Sequence, residues 1–268
     1  MWHARDVRNL TSLEWWILFP LSLLIVGSIA AIAHGIIRRF LGAHTERSVI
    51  HAGPLMPTLG ALFAFLSAFV IATEWTAQST SEATVASIAS ASSQLAWAST
   101  APGVDTIAIQ ASLMVDLEET ATTGWERLQN GDETSLLDSD ASRDLQRAVR
   151  ASAYSPAVSP VASAELLSAL DDVSEARRDL VNEAGGTLPT LLFGVLALSG
   201  LALTVNSVIL VLQNPGRSSV VVLSIVVIVA LDLALLLVLA APFRGTLETS
   251  PAPLTAVRTE IASGFFTR

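Results

Sequence analysis

A single carboxylate, Asp232, stands inside an aliphatic run from Ser218 to Ala241 that carries no other charge. A charged side chain at the centre of a bilayer costs about 2.5–3.5 kcal/mol on insertion scales, so such a residue faces a bundle interior or water. Two chemistries fit it: a buried acid hydrogen-bonded to a neighbouring helix, or a group engaged in ion or proton passage. Asp232 lies nine residues before Ala241, or about 14 Å below the end of its run at about 1.5 Å per residue. Ser67 and Ser199 fall at comparable depth in other apolar runs, so their hydroxyls are candidate partners. Asn206 is a further polar residue at membrane depth, read as a helix–helix hydrogen bond. Glu74 and Trp75 mark the mouth of the second run, where Arg178 or Arg244 are candidates to approach the carboxylate. A ring of Arg at such a mouth attracts anions, and a ring of acids attracts cations.

Other chemistries find no constellation. Cysteine is absent, which removes disulfides, thiolate nucleophiles and Cys-type zinc or iron–sulfur sites. The four histidines are His3, His34, His44 and His51, and spacings of ten and seven in the last three fix no shared helix face. Metal binding and cofactors are therefore not expected. No Gly-rich phosphate loop, G-x-S-x-G elbow or H-E-x-x-H motif occurs, and no enzyme activity is expected. The formal net charge of −9 argues against a nucleic-acid partner, which requires a basic face.

The elements that must position these residues are apolar helices. Of the 268 residues 51% are hydrophobic and only 15% charged, with a mean hydropathy of +0.57. Four runs, 15–37, 54–73, 188–212 and 218–241, are each long enough to cross roughly 30 Å of hydrocarbon. Trp15-Trp16 opens the first run, as suits an interface, and Arg38-Arg39 closes it. The run is too long for an ordinary signal-peptide core, although Ala31-Ile32-Ala33 has the form of a cleavage site. In the second run Gly60, Ala61, Ala64, Ser67, Ala68 and Ala72 recur as small residues. They are expected to pack against the other three spans, with packing around an oligomer axis as the alternative.

Residues 74–187 hold 18 of the 24 acidic residues and 6 of the 15 Arg. Apolar residues at helical spacing define four segments in this insertion. They are Val85, Ile88 and Leu95; Ile107, Leu113, Leu117, Ala121 and Leu128; Leu137, Leu145 and Val149; and Leu166, Leu170, Val173 and Leu180. The first should continue from the second span and the last should lead into the third. Asp116, Glu118 and Glu119, and likewise Asp171 and Asp172, read as solvated helix faces. Gln213 to Arg217 form the tight turn of a second transmembrane hairpin, and Leu254 to Ile261 of the polar tail is weakly helical. The fold expected is an all-α integral membrane protein of four transmembrane helices with an α-helical insertion between the second and third. Its parts are a first hairpin (1–75), the acidic helical domain (76–187), a second hairpin (188–241) and a polar tail (242–268).

Orientation follows Lys and Arg near the span ends in short loops. Arg38, Arg39 and Arg47 lie in the first loop and Arg217 in the last, while the 16 residues after Trp75 contain no Arg. That distribution favours short loops inside a plasma membrane and an extracytoplasmic helical domain.

Several ordered pieces then resemble a known family. They are Gly60-Ala-Leu-Phe-Ala-Phe-Leu-Ser-Ala-Phe69 running into Glu74-Trp75, Ser81-Glu82-Ala83, Ser174-Glu-Ala-Arg-Arg178, Leu188-Pro189 and Pro242-Phe-Arg-Gly245. In this order they resemble the bestrophin-like domain family, multi-pass membrane proteins of bacteria and plants. By distant likeness to bestrophin chloride channels, the resemblance implies a homo-oligomer, a pentamer by analogy, with small inorganic ions as its cargo. It also implies a pore lined by the second helix, with a hydrophobic neck matched to Phe65 and Phe69 or to Leu62, Leu66 and Val70. Only Glu248 follows where bestrophins carry an acidic calcium clasp, and Ala240-Ala241 precede Pro242 where an acid is common. The resemblance implies a cytosolic insertion, opposite to the Arg distribution.

The function expected is an oligomeric membrane ion channel, anion-conducting on the resemblance alone. Its pore-lining candidates are Leu62, Phe65, Leu66, Phe69 and Asp232. The alternative is a non-conducting membrane sensor or scaffold whose helical domain binds a partner.

Overall fold

The computed structural model describes residues 15–41, 52–130, 132, 136–137, 139–185, 190–213, 220–239, 243 and 248–267. Among these the ordered elements are helices: α1 (Trp15–Leu41), α2 (Ala52–Ala98), α3 (Thr106–Glu119), α4 (Trp125–Asn130), α5 (Asp140–Ala153), α6 (Pro160–Ala184), α7 (Thr190–Gln213), α8 (Val220–Leu239) and α9 (Ala252–Ala262). A π-helical turn, Thr120–Gly124, joins α3 to α4. The protein is an all-α membrane protein, and α1, α2, α7 and α8 are long and apolar enough to cross a bilayer. The turn expected at 213–217 begins at the end of α7, and residues 214–217 lie outside the described residues.

The chain divides into two compact units. The first contains α1, α2 as far as Thr76, α7 and α8. Phe63, Val70, Leu196, Leu203, Val229 and Leu236 are at the centre of its core. Gly200 is there because nothing larger fits easily: a Cβ on it would lie 3.1 Å from Phe63 Cε2 and from Val229 Cγ1. Hydroxyls in this unit turn back onto backbone carbonyls, as polar groups must where water is absent. Ser22 Oγ reaches the Ala230 carbonyl at 2.8 Å, linking α1 to α8, and Thr204 Oγ1 reaches the Gly200 carbonyl at 2.8 Å.

The small residues of the second span do not pack as expected. Ala61, Ala64, Ala68 and Ala72 are exposed, while Phe63, Ser67 and Val70 are the residues that α2 buries. Lipid and neighbouring side chains are equally apolar, so size alone decides little about which face turns inward.

The second unit contains α2 from Ala77, α3 to α6, and α9. As expected, the first insertion helix continues α2 without interruption through 47 residues. Val85, Ile88 and Leu95 of α2, Leu113 and Leu117 of α3, Leu145 and Val149 of α5, and Leu166 and Leu180 of α6 are buried. The helix starts are capped by side chains: Asp105, Ser139 and Ser159 accept from Ala108, Ser142 and Ala162. Pro160 occupies the first turn of α6, a position whose N–H is unpaired in any helix. The tail forms α9, whose Leu254, Val257 and Ile261 are all buried.

Two apolar residues of the expected pattern fall elsewhere. Ile107, in the first turn of α3, is exposed, and Leu137 lies outside any helix and is also exposed. Neither sits at the spacing of the buried stripe of its nearest helix, which for α3 is Ile109, Leu113, Asp116 and Leu117. The same stripe corrects the reading of Asp116. It is buried, not solvated, and accepts a 2.5 Å hydrogen bond from Arg177 Nη2.

Candidate ion-pathway residues

α2 positions most of the candidate residues, and its register separates them. Phe63, Ser67, Val70 and Glu74 follow one another at steps of four, three and four, and all are buried. Leu62, Phe65 and Phe69 lie on the other side and are 47%, 68% and 50% exposed. Leu66 is partly buried against the core.

On the buried face, Ser67 Oγ donates to Asp232 Oδ2 at 2.7 Å, joining α2 to α8. It satisfies a polar atom of each helix within the apolar unit. Ser199 is at hand in sequence depth but turns to its own helix, donating to the Leu196 carbonyl at 2.8 Å. Thus Asp232 and the pair Phe65 and Phe69 stand on opposite sides of α2: a two-residue step on a helix is a rotation of about 200°. The five pore-lining candidates therefore fall into two groups. Leu62, Phe65 and Phe69 face outward from the chain, whereas Leu66 and Asp232 are partly buried, Leu66 against the core and Asp232 on Ser67.

Asn206 is buried in α7, its Nδ2 3.5 Å from Met56 Sδ of α2. Glu74 is buried, two helical turns from Ser67 on the same face of α2. Arg178 is exposed on α6, and Arg244 lies outside the described residues. Trp75, next to Glu74, is exposed as an interfacial aromatic should be.

A buried charged pair went unread in the sequence. Arg177, not Arg178, is the arginine that α6 turns inward, bonding Asp116 and, at 3.2 Å, Thr120 Oγ1. The signal was present: Val173, Arg177 and Leu180 are spaced by four and three, and so are Leu113, Asp116 and Thr120 in the opposite order. Charge obscured a periodicity that position alone reveals. Among the described residues no group of His, Asp and Glu is arranged to hold a metal ion.

The model of the Bestrophin-like domain matches residues 24–254, which takes in most of the first span, the other three spans and the helical insertion. The chain belongs to the Bestrophin-like domain family. No curated protein and no solved structure matches it. In this Bestrophin-like chain α2 is split into a buried face with Ser67 and an open face with Phe65 and Phe69.

Proposed function

We propose that this Bestrophin-like protein is an oligomeric membrane ion channel in which copies of α2 surround a central axis. Four spans enclose no wide pore by themselves, so conduction requires several subunits. The observation that carries the reading is the open face of α2. Leu62, Phe65 and Phe69 form an apolar line, and Ala61, Ala64, Ala68 and Ala72 beside it let a neighbouring backbone approach closely. Phe65 and Phe69 then form a hydrophobic constriction of the kind that gates by dewetting. Anions are the proposed permeant class, on the family likeness. Asp232, partly buried, serves the contact between α2 and α8 through Ser67 and does not line the axis.

Purified protein in liposomes should pass ions, and Phe69→Ala should raise the flux severalfold by widening and wetting the constriction. A monomer in nanodiscs of native-like lipid, or flux identical in wild type and Phe69→Ala, would overturn this reading.

A further inference from the structure

Trp75 is exposed where α2 leaves its apolar run, and a membrane interface accounts for it. Trp97 has no such account. It is 61% exposed near the end of the same continuous helix, about 33 Å further along at about 1.5 Å per residue, within the second unit. There it forms part of a groove of about 490 Å³ between α2 and α6.

The groove combines an apolar lining with free polar groups. Ala98, Ala169 and Phe266 line it and are buried. Phe266 is fixed in place: Gln110 Nε2 of α3 donates to its carbonyl at 3.1 Å, and the Phe265 ring meets its ring edge to face at 5.0 Å. The polar lining is exposed: Ser90 and Gln94 come from α2, and Glu165, Ser168 and Asp172 from α6. None of these five side chains makes a hydrogen bond or ion pair among the described residues. No Arg or His lines the groove, and Arg177 of α6 turns away from it to the buried Asp116.

This lining selects a class of ligand. Glu165, Ser168 and Asp172 are separated by three and then four residues, so they share one face of α6. The two acidic positions differ by about 10.5 Å in rise along the helix, whereas a metal ion holds its oxygen ligands at about 2.0–2.6 Å. Among the described residues no group of His, Asp and Glu is placed to hold a metal ion. An anion would be repelled by both carboxylates. A neutral apolar molecule would cover them without pairing them, at a cost in desolvation. A cation on an apolar body satisfies every part of the lining. Its body lies against Ala98, Ala169 and Phe266, and its N–H groups donate to the carboxylates and to the Ser and Gln oxygens. The exposed indole face of Trp97 attracts the same charge. The volume is that of a small-molecule cleft.

We propose that this groove is a binding site for a small organic cation, an ammonium group carried on an apolar body. The site lies wholly within the second unit, and the inference does not depend on the channel reading.

The test uses the full chain in nanodiscs with fluorotryptophan in place of its six Trp, read by fluorine NMR, with Trp97→Phe to assign the Trp97 line. Phenethylammonium and hexylammonium should move that line at millimolar concentration or below. Phenethyl alcohol and phenylacetate, of similar size but neutral and anionic, should bind about tenfold or more weakly. Glu165→Gln with Asp172→Asn should weaken the amines about tenfold and leave the alcohol unchanged. By calorimetry Trp97→Leu should weaken the amines about fivefold, while Trp97→Phe, which keeps an aromatic face, retains most of the affinity. Helical melting by circular dichroism checks that each variant folds, and the amine–alcohol comparison on the unsubstituted chain decides the matter even where one does not. A Trp97 line unmoved by both amines, equal binding of amine and alcohol, or amine affinity unchanged in the Gln–Asn variant would overturn the proposal. Ion flux enters none of these measurements, so a failed channel reading and a failed cation site are told apart.

Discussion

The two units bury side chains by different rules. In the extramembrane unit, α5 hides Leu145 and Val149 and exposes Arg143, Arg147 and Arg150, so its large aliphatic and charged side chains separate onto different faces. In the membrane unit, α8 hides Val229 and Leu236 and exposes Leu231 and Leu235. Both faces there are aliphatic. Water drives apolar side chains out of solution and so sorts the first helix. Lipid is as apolar as leucine and sorts the second only by shape and by its few polar contacts. The lesson is that hydrogen bonds such as Ser67–Asp232 and Ser22–Ala230 set the register of the membrane helices.

The sharpest way to break this comparison is through the polar pair of each unit. Arg177→Met should destabilise the extramembrane unit by about 3–5 kcal/mol, since it leaves Asp116 charged and buried. Adding Asp116→Leu in the same chain should recover most of that loss. Hydrogen exchange resolved by unit reads both effects, and a double variant no better than the single would refute the account.

Two fully buried leucines give the next contrast. Leu180→Ala in α6 should cost about 2–5 kcal/mol, as in soluble cores. Leu236→Ala in α8 should cost clearly less, because lipid replaces only the transfer part of that loss and the cavity part remains. Equal costs in the two units, measured by denaturant unfolding with a probe in each, would erase the proposed difference.

Gly103 tests the extramembrane unit through its backbone. It adopts φ +84°, and a Cβ on it would lie 2.1 Å from the Ala157 carbonyl oxygen. Gly103→Ala should therefore lower stability by about 1–3 kcal/mol or more, from the left-handed backbone with the clash added. A thermal midpoint within experimental error of wild type would show that the 99–105 turn repacks freely.

The smallest effect concerns Asp232. Asp232→Asn keeps an acceptor for Ser67 and should leave assembly near normal. Asp232→Leu strands that hydroxyl at about 1–3 kcal/mol and should weaken assembly in nanodiscs. A rise in thermal stability of the Leu variant would mean that the charge faces lipid and that α8 is turned the other way.

Much of the fold was legible because length and composition act on each segment alone. Four apolar runs in a chain with 15% charged residues dictate four membrane helices, and Leu166, Leu170, Val173 and Leu180 announce the buried face of α6. The depth of Asp232 and its need of a partner were equally local facts. Which hydroxyl met it was not: Ser67 and Ser199 were equivalent by position, and the choice depended on how α2 turns against α8. Tertiary structure likewise decided that Phe63 goes inward and Phe65 outward, that Arg177 rather than Arg178 is buried, and that the tail helix Ala252–Ala262 joins the insertion's core. These outcomes depend on rotation about a helix axis and on pairing between residues as far apart as 208 positions. Local propensity fixes that a helix forms; only the neighbouring helices fix which way it faces.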